Sequence, residues 1–534
     1  MTLPSMPTVG DNRRPLVQAL VRIVGPDHVI TDAAERAFFS TDVFYQPEPA
    51  ELVVAPGTPE EVAAVVREVT RAGMAVVPRG GGMSYTAGYA PERTDSVIID
   101  TRRLNRILEV NTEDMYVTVE CGVTWKQLHE ALKEKGVRTP FFGPSTGMYA
   151  TVGGALSQNS VFFGTANNGT AVESVLSLEV ALADGRLLKT GSWATPYSPS
   201  PFFRTYGPDL GGLFLADTGA MGFKVRASLR LIKTPEVCLF GSFDFPDDIG
   251  MTSAMSQIGR EGLASECFGL DPYLLSMRMR FEGLAKDIHA LASVVKSGKT
   301  LLGGLRDAAK IAVAGRRFAD DLNWAMHLTV EGRDQVTAES ALRRVKEIVA
   351  KFGGNEIEAS LPKLVRSMLF APVNRLLGPE GERWVPIHAI LPHSRAQIML
   401  RAIDAFFNER KKMVEENKIE WGNLIMIIST NAILLEPTFF WPDSHNSLHS
   451  RMIEKAHYAK LKQFPKNLKA RNAMLEIRQG LSKLFMEHGC VHLQIGKMYP
   501  FLEGRDPETR NLLQQVKDLV DPQHLVNPGS LGLR

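Results

Sequence analysis

Three glycine-rich turns in the first half of the sequence could bind a phosphate-bearing ligand. The segment "VPRGGGMSYTAGYAP" (77–91) carries three consecutive glycines, and further glycine-rich turns follow at 143–154 and 219–222. Glycine has no side chain, so a backbone rich in it can lie close against a ligand, and successive backbone N–H groups can converge on an anion. One such turn is ordinary in a surface loop. Three turns, each beside a predicted strand, indicate one extended ligand that lies against the backbone.

Signatures of other sites fit the sequence poorly. No GxGxxG follows the first strand and no GxxxxGK[ST] occurs, so neither a Rossmann dinucleotide site nor a P-loop is predicted. "GPSTG" (143–147) matches GxSxG, the nucleophile elbow of hydrolases, which requires a strand, a sharp turn and a helix. Here Pro144 precedes Ser145, and "MYATVGG" follows with no helical pattern, so a hydrolase is not favoured.

A βαβ unit delivers the first glycine turn. "ELVVAPGT" is a short apolar strand that leads into a helix start, where Thr58 caps, Pro59 suits the first helical position and Glu61 completes a capping box. "EEVAAVVREVTRAG" has helical apolar spacing and stops at a glycine, and "MAVVP" is the next strand. The strand therefore ends directly at the three glycines.

The remaining pattern divides the chain into three parts. The first half continues with β-branched strands, an amphipathic helix and a hairpin that turns at Asp184-Gly185. A new sheet, longer helices and a final helical stretch follow from about residue 236. The predicted parts are an N-terminal α+β half over 1–235, a middle domain over 236–490 and a C-terminal return over 491–534.

Composition predicts a globular protein in a reducing compartment. The 534 residues are too many for one ordinary core, and they are 44% hydrophobic and 22% charged. The net charge of +2 gives no reason to expect nucleic acid as a partner. The four cysteines are scattered without a CxxC, the N-terminus lacks the order of a signal peptide, and no uninterrupted apolar run reaches about 18 residues. We therefore expect a cytoplasmic enzyme.

Five motifs in order resemble those of one flavoprotein family. "PRGGGMSYTAG", "PSTGMYATVGGALSQN", "LEVALADGRLLKTG", "TGAMGFKVRASLRL" and "LVDPQHLVNPGSLG" resemble segments of the FAD-binding oxidoreductases of the vanillyl-alcohol oxidase and p-cresol methylhydroxylase type. The resemblance covers about residues 50–235 and the C-terminal end. It implies an α+β fold: a PCMH-type FAD-binding domain of two α+β subdomains, and an α+β substrate (cap) domain with an antiparallel sheet flanked by helices.

The same resemblance implies which residues hold the cofactor, FAD. In that family the first loop wraps the pyrophosphate, the second supports pyrophosphate and flavin, the third lies near the adenine, and a C-terminal asparagine, here Asn527, lies near the isoalloxazine. The position of a histidine that attaches FAD covalently in some relatives is Met83 here, and a thioether cannot form that bond. We therefore expect non-covalent FAD, although attachment from a cap-domain His or Tyr stays open. The loop residues are Arg79, Gly80, Gly81, Gly82, Met83, Ser84, Pro144, Ser145, Gly147, Thr151, Gly153, Gly154, Ser157, Gly219, Gly222 and Val225.

Two cap segments, "ERWVPIHAILPHS" (382–394) and "HLQIGKMYPF" (492–501), are similar to the 4-cresol dehydrogenase-like branch. That likeness implies oxidation of a para-substituted phenolic alcohol or alkylphenol by hydride transfer to the flavin. The reduced flavin would then pass its electrons to oxygen or to a protein acceptor. The implied catalytic residues are Tyr499 and Lys497 on the phenolate, His388 in the cavity, and Tyr85 from the first loop. The sequence departs from the branch in having Pro500 where the phenol oxidases have arginine.

Other functions stay open at this stage. D-2-hydroxy-acid dehydrogenases of the same superfamily hold a divalent metal with a GDGN segment and an EHG; only the EHG (487–489) occurs here, so no metal is predicted. A scaffold protein with a degenerate flavin site is the rival from another class. An amphipathic pattern at 299–321 favours a solvated helix against the cap over contact with a membrane surface. Homodimers are common in the family, so a homo-oligomer is expected.

Overall fold

The N-terminal sheet contains the predicted βαβ unit. The computed structural model describes residues 13–198, 200–280 and 324–533, so the predicted helix at 299–321 lies outside the described residues. The sheet has the order β1-β2-β4-β3, in which β4 lies between the two strands of the βαβ unit and parallel to both. Its elements are α1 (Arg14–Val24), β1 (Val29–Ile30), α2 (Ala33–Ser40), β2 (Leu52–Val54), α3 (Pro59–Arg71), β3 (Ala75–Arg79) and β4 (Ser96–Asp100).

The start of α3 differs from the predicted capping box in one bond. Thr58 caps the helix, since its hydroxyl accepts from the backbone N–H of Glu61 at 3.1 Å. The Glu61 carboxylate accepts from the N–H of Gly57 at 2.7 Å, one residue before the cap. The predicted helix start is confirmed, and the return bond satisfies the preceding residue instead of Thr58.

A second, antiparallel sheet completes the N-terminal half, with the order β5-β6-β10-β8-β9 and a separate β7–β11 pair. The predicted hairpin is β8 and β9, and Gly185 at its turn has a φ of +83°. The elements are β5 (Ile107–Asn111), β6 (Tyr116–Glu120), α4 (Trp125–Lys133), β7 (Val137–Arg138), α5 (Val152–Gln158), α6 (Thr165–Asn168), β8 (Val175–Ala181), β9 (Leu187–Lys189), β10 (Phe223–Arg230) and β11 (Ile232–Lys233).

Helix α5 corrects the expectation that no helix follows "GPSTG". Gly153 and Gly154 are each about 1 kcal/mol poorer helix formers than alanine, which hides the pattern in the sequence. Tertiary contacts compensate: Thr151 caps the helix at the N–H of Gly154, and the N–H of Gly153 donates to Cys121 O at 2.8 Å. Ser145 lies in a turn that residues 146–151 separate from α5, so the arrangement is still not that of a nucleophile elbow.

The cap domain is one eight-stranded antiparallel sheet with helices packed against it, as expected. Its order is β15-β12-β14-β13-β18-β19-β16, and β17 also pairs with β19. The elements are β12 (Val237–Phe245), α7 (Asp248–Arg260), β13 (Glu266–Leu270), α8 (Pro272–Arg280), β14 (Trp324–Gly332), α9 (Gln335–Lys351), β15 (Asn355–Ile357), α10 (Ser360–Ser367), β16 (Arg383–Pro386), β17 (Ala389–Pro392), α11 (Ala396–Glu409), α12 (Lys411–Glu416), β18 (Glu420–Ile428), β19 (Ala432–Trp441), α13 (Ser447–Met452), α14 (Lys455–Tyr458) and α15 (Leu468–Glu487). The last helix, α16 (Pro507–Val520), belongs to the C-terminal segment and packs on the N-terminal half.

The change of sheet falls between Lys233 and Val237, next to the predicted boundary at 236, although the domain limits themselves stay predictions. The C-terminal segment returns to the N-terminal half, where the N–H of Val76 donates to Leu525 O and that of Asn527 donates to Val76 O. This return brings Asn527 behind the glycine turns. In the described part of the chain, no helix combines the length and the apolar character that crossing a bilayer requires.

A buried ion network joins the two halves. Arg138 of β7 pairs with Glu331 of β14, and Arg366 of α10 pairs with both Glu331 and Glu266. The two guanidinium groups also pack against the ring of Phe142, at 4.2 and 4.6 Å from its centroid. Because each charge has a partner in a buried setting, the network fixes the register of the cap on the N-terminal half.

Candidate active site

The three glycine turns meet in one cavity of about 1460 Å³, counted to its open mouth. Strand β3 ends at Arg79 and brings the first turn there, α5 follows the second, and β10 begins after the third. One wall of the cavity is thus formed where β3 ends, α5 begins and β10 begins. The predicted cofactor residues in this wall are Arg79, Gly80, Gly81, Gly82, Met83, Ser84, Pro144, Ser145, Thr151, Gly153, Gly154, Ser157, Gly219 and Gly222.

Two glycines of the first turn are required by the second turn. A Cβ on Gly80 would collide with the hydroxyl of Thr151, and a Cβ on Gly81 would collide with the carbonyl of Tyr149. Gly82 has a φ of +75°, which a side chain would strain. The bare backbone therefore lets the two turns press together into a continuous wall.

Arg79 supplies a buried cation to this wall. Its side chain is 2% exposed, and its guanidinium packs over the rings of Phe38, Phe39 and Tyr89 at 4.7–5.4 Å. Burial lowers the pKa of Arg79, Nε lacks a hydrogen-bond partner, and no carboxylate among the described residues forms an ion pair with it. A buried cation without a counter-ion is costly unless an anionic ligand faces it. The wall therefore fits the pyrophosphate of FAD.

The third turn is held by an internal carboxylate. Asp217 accepts from the N–H groups of Gly219 and Met221 and pairs with the ammonium of Lys224 at 2.6 Å. Lys224 also lines the cavity. The turn is thus shaped by its own ion pair, independently of any ligand.

Three predicted cofactor residues lie outside the cavity wall. Gly147 makes room for the ring of Phe370, against which a Cβ would collide, and Val225, within β10, points into the core of the N-terminal half. The amide of Asn527 donates to Gly88 O and Thr218 O, both at 2.8 Å. Asn527 therefore ties the first turn to the third from behind.

At the other end of the cavity, side chains from distant segments form a hydrogen-bonded cluster. Tyr85 Oη lies 2.8 Å from Nε2 of His388, and Glu436 Oε2 lies 3.2 Å from the same nitrogen. All three residues line the cavity. Tyr499 lies behind them: its hydroxyl accepts from the backbone N–H of His388 at 2.7 Å and is 3.3 Å from Nδ1. The structure thus joins three predicted catalytic residues and adds Glu436, which sequence reasoning missed.

Burial keeps the phenol groups of this cluster protonated. It raises the pKa of Tyr85 well above its ordinary value, an effect to which the charge of Glu436 adds, and it also raises the pKa of Tyr499. His492 stacks on Tyr499 at 4.0 Å, and burial lowers its pKa to about 4. Its Nδ1 lies 2.8 Å from the carbonyl oxygen of His388, so Nδ1 carries the proton and donates it there. Two neutral groups therefore hold the backbone of His388, Tyr499 as the acceptor from its N–H and His492 as the donor to its carbonyl oxygen.

Lys497 is the predicted catalytic residue that the structure places elsewhere. Its ammonium donates to Ala90 O at 2.6 Å and lies 3.9 Å from Glu92 Oε2, and the side chain is not part of the cavity wall. The preceding Gly496 packs so tightly on Thr86 that a Cβ would collide with it. This contact directs Lys497 toward the turn at Ala90, away from the Tyr499 hydroxyl.

Trp384 and Gln494 are two further wall residues that the sequence analysis did not select. The Trp384 ring meets that of Tyr85 edge to face at 5.7 Å. Glu436 had a signal in the sequence, because it is the only charged residue within the apolar strand "AILLEPTFFW". A lone carboxylate in a buried strand is a candidate functional group.

Comparison with known proteins gives a family match for the segment that contains the first two glycine turns. Residues 50–191 match the family described as an FAD binding domain. The chain is 24% identical to 1'-carboxy-chondrochloren decarboxylase of Chondromyces crocatus over 98% of this chain and 92% of that one. It is 28% identical to the glycolate oxidase subunit GlcD of Bacillus subtilis over 221 residues. That alignment covers 41% of this chain and 45% of the relative.

The fold is also that of solved flavoproteins. The structure of p-cresol methylhydroxylase with substrate bound matches with a TM-score of 0.73 and 16% identity, over 99% of this chain and 98% of that one. The 4-ethylphenol oxidase of Gulosibacter chungangensis, in an isoeugenol complex, matches with a TM-score of 0.70 and 18% identity, over 100% and 99%. At these identities the likeness concerns the fold, which is the expected PCMH-type α+β fold.

Proposed function

We propose that this chain, an FAD-dependent oxidoreductase, oxidises an aromatic, para-substituted phenolic alcohol or alkylphenol. One observation carries the proposal: the cluster of Tyr85, His388 and Glu436 lies in the same cavity as the three glycine turns. FAD, held non-covalently by those turns, supplies the acceptor for a hydride. The cluster at the opposite end is placed to receive the hydroxyl group of the substrate.

The cluster can take a proton as the hydride leaves. Glu436 is an acceptor at 3.2 Å from Nε2 of His388, and Tyr85 lies 2.8 Å from the same atom. A substrate hydroxyl at this point can donate to the carboxylate directly or through the imidazole, which is general-base work. The cations in the described wall, Arg79 and Lys224, are both on the glycine-turn side. Charge at the reactive end is therefore handled by moving a proton, whereas an ion pair with Lys497 was expected from the sequence.

The aromatic surroundings support the substrate class. Trp384 and Phe162 line the cavity with Tyr85, so a flat ring can pack among aromatic side chains. The fold likeness to two proteins named for cresol and ethylphenol is consistent with a phenol. Oxygen or a protein remains the proposed final acceptor.

Anaerobic reduction of the purified holoenzyme tests this proposal. A panel of 4-alkylphenols, 4-hydroxybenzyl alcohols and D-2-hydroxy acids is added without oxygen, and the visible flavin absorbance is followed. We expect bleaching by the phenols, and the rate of reoxidation after air is admitted distinguishes oxygen from a protein acceptor. Bleaching by hydroxy acids alone, or by no compound of the panel, would contradict the proposal.

A D-2-hydroxy-acid dehydrogenase is the second candidate, favoured by the alignment with the glycolate oxidase subunit. Groups of three or more His, Cys, Asp or Glu that could hold a metal ion do not occur among the described residues. Treatment with a chelator, followed by zinc or manganese, separates the candidates. Loss and recovery of hydroxy-acid turnover would favour this second function, whereas phenol turnover is expected to persist.

A further inference from the structure

A second and larger cavity opens beside the reactive end of the first. It measures about 2340 Å³, counted to its mouth, against about 1460 Å³ for the first. Glu436 lines both cavities, so the carboxylate of the proposed cluster stands where they meet. The residues common to both walls are Ser145, Thr146, Phe162, Trp384, Leu424 and Glu436.

The second cavity is apolar over most of its wall. Leu270 and Phe440 line it from the cap sheet, Leu274 from α8, and Val365 and Met368 from α10 and its end. Polar groups lie at the neck, near Glu436, and at a second edge. The polar residues of that edge are Asn374, Arg375, Glu454, His457 and Lys460. Water against such walls is unfavourable, because the free energy falls when an apolar group displaces water from an apolar surface.

We propose that the second cavity binds an extended alkyl substituent of a phenolic alcohol, carried on the same carbon as the alcohol hydroxyl that Glu436, His388 and Tyr85 hold. The inference rests on the proposed function, because it uses the same cluster to fix the polar end. A small phenol would fill only the space beside the cluster and leave the apolar walls uncovered. A chain that passes the neck covers Leu274, Val365 and Phe440 while the reacting group stays in place.

Binding is therefore expected to depend on chain length. Burying one methylene strengthens binding about fourfold. In a series of 1-(4-hydroxyphenyl)alkanols with alkyl chains of increasing length, KM falls by about that factor for each added carbon until the cavity is filled. The value of kcat changes little, because these contacts are the same in ground state and transition state.

A titration that does not depend on turnover accompanies the kinetics. The oxidised holoenzyme is titrated calorimetrically with n-alkanols from butanol to decanol, which supply a hydroxyl and a chain without the ring. We expect the Kd to fall by about fourfold for each carbon. If phenols fail to reduce the flavin and this dependence is still found, the proposed function is wrong and the cavity assignment holds. If phenols are oxidised with no dependence on chain length in either series, the cavity assignment is wrong and the proposed function stands.

Substitutions that fill the cavity complete the test. Val365→Trp is expected to remove the gain from long chains while the reaction of 4-hydroxybenzyl alcohol, which has no chain, keeps its kcat. Val336→Trp, at a 77% exposed position on α9, is the matched control. Met368→Phe is a milder second change at the end of α10, for the case that Val365→Trp lowers FAD content or helical signal. Equal chain-length dependence in all three variants and the unsubstituted protein would overturn the inference.

Discussion

The two ends of the cavity handle charge in different ways. The glycine-turn end contains buried cations, with Arg79 unpaired by any described carboxylate and Lys224 paired with Asp217. The reactive end contains an imidazole, a carboxylate and neutral phenols, linked at 2.8 and 3.2 Å. The first arrangement suits the binding of a permanent anion, and the second suits the movement of a proton. Substitutions at the two ends should therefore separate binding from chemistry.

The largest effect is expected at the reactive end. Glu436→Gln keeps the shape of the side chain and removes its proton acceptor, so kcat should fall by about 10²–10⁴-fold, the usual range for a general base. FAD content, read from the visible spectrum, should not change. Glu339→Gln, on the exposed face of α9, is the control and should retain full activity. An unaltered kcat in the Glu436→Gln variant would show that Glu436 is not the general base.

A smaller, opposite pattern is expected for Arg79→Met. Loss of the cation should weaken FAD binding by about 10–100-fold, the range for hydrogen bonds to charged groups, while kcat at saturating FAD stays within a few-fold. The Tm of the apoprotein should change little, because the substitution removes the desolvation cost of the buried charge together with its contacts to three aromatic rings. Flavin fluorescence on dilution measures the affinity, and calorimetry measures the Tm of the apoprotein. A large fall in that Tm would show that the ring contacts of Arg79 hold the turn and that its effect on FAD is indirect.

Asn527 tests whether the two turns must be tied together. Asn527→Ala removes two hydrogen bonds and leaves two buried carbonyls unpaired, so we expect a loss of about 2 kcal/mol in the free energy of unfolding, measured in urea. Asn527 has a φ of +45°, which alanine tolerates less well than asparagine. Asn527→Gly removes the amide without that strain and should be less destabilised. Equal losses in both variants would assign the effect to the amide alone.

The smallest effect is expected for Lys497→Met. The ratio kcat/KM with a phenol should stay within about threefold, because the ammonium is bonded to Ala90 O and the side chain is not part of the cavity wall. Burial lowers the pKa of Lys497 from 10.5 to about 8. Between pH 8 and 10.5 the unfolded chain binds more protons at Lys497 than the folded chain does, so this residue makes the free energy of unfolding rise with pH. The cost of burying the charged ammonium is fully present below about pH 8.

Urea unfolding between pH 7 and 10 checks that sign. The unsubstituted protein should gain stability relative to Lys497→Met as the pH rises from about 8 to 10. A large loss of kcat/KM in the variant would instead indicate that Lys497 contacts the substrate, as the family resemblance implied.

The sequence predicted the local elements of the glycine-turn end, because their requirements involve neighbouring residues. The βαβ unit, the cap at Thr58 and the positive φ of Gly82 concern residues that are neighbours in the chain. Even so, it did not indicate that Gly80 and Gly81 must lack side chains because Thr151 and the Tyr149 carbonyl pack against them. It also missed α5, because two glycines interrupt the helical pattern.

The reactive end was decided by tertiary structure. Tyr85, His388 and Glu436 come from the first turn, the segment between β16 and β17, and the middle of β19. Their meeting depends on the register of β17 against β19 and on the docking of the cap onto the glycine turns. Lys497 and Tyr499 are close in sequence, yet the packing of Gly496 against Thr86 sends one to Ala90 and leaves the other behind His388. The sequence by itself determined the backbone cradle, since turn and cap preferences act between neighbouring residues; the side chains that do chemistry were brought together by long-range packing, which no local pattern records.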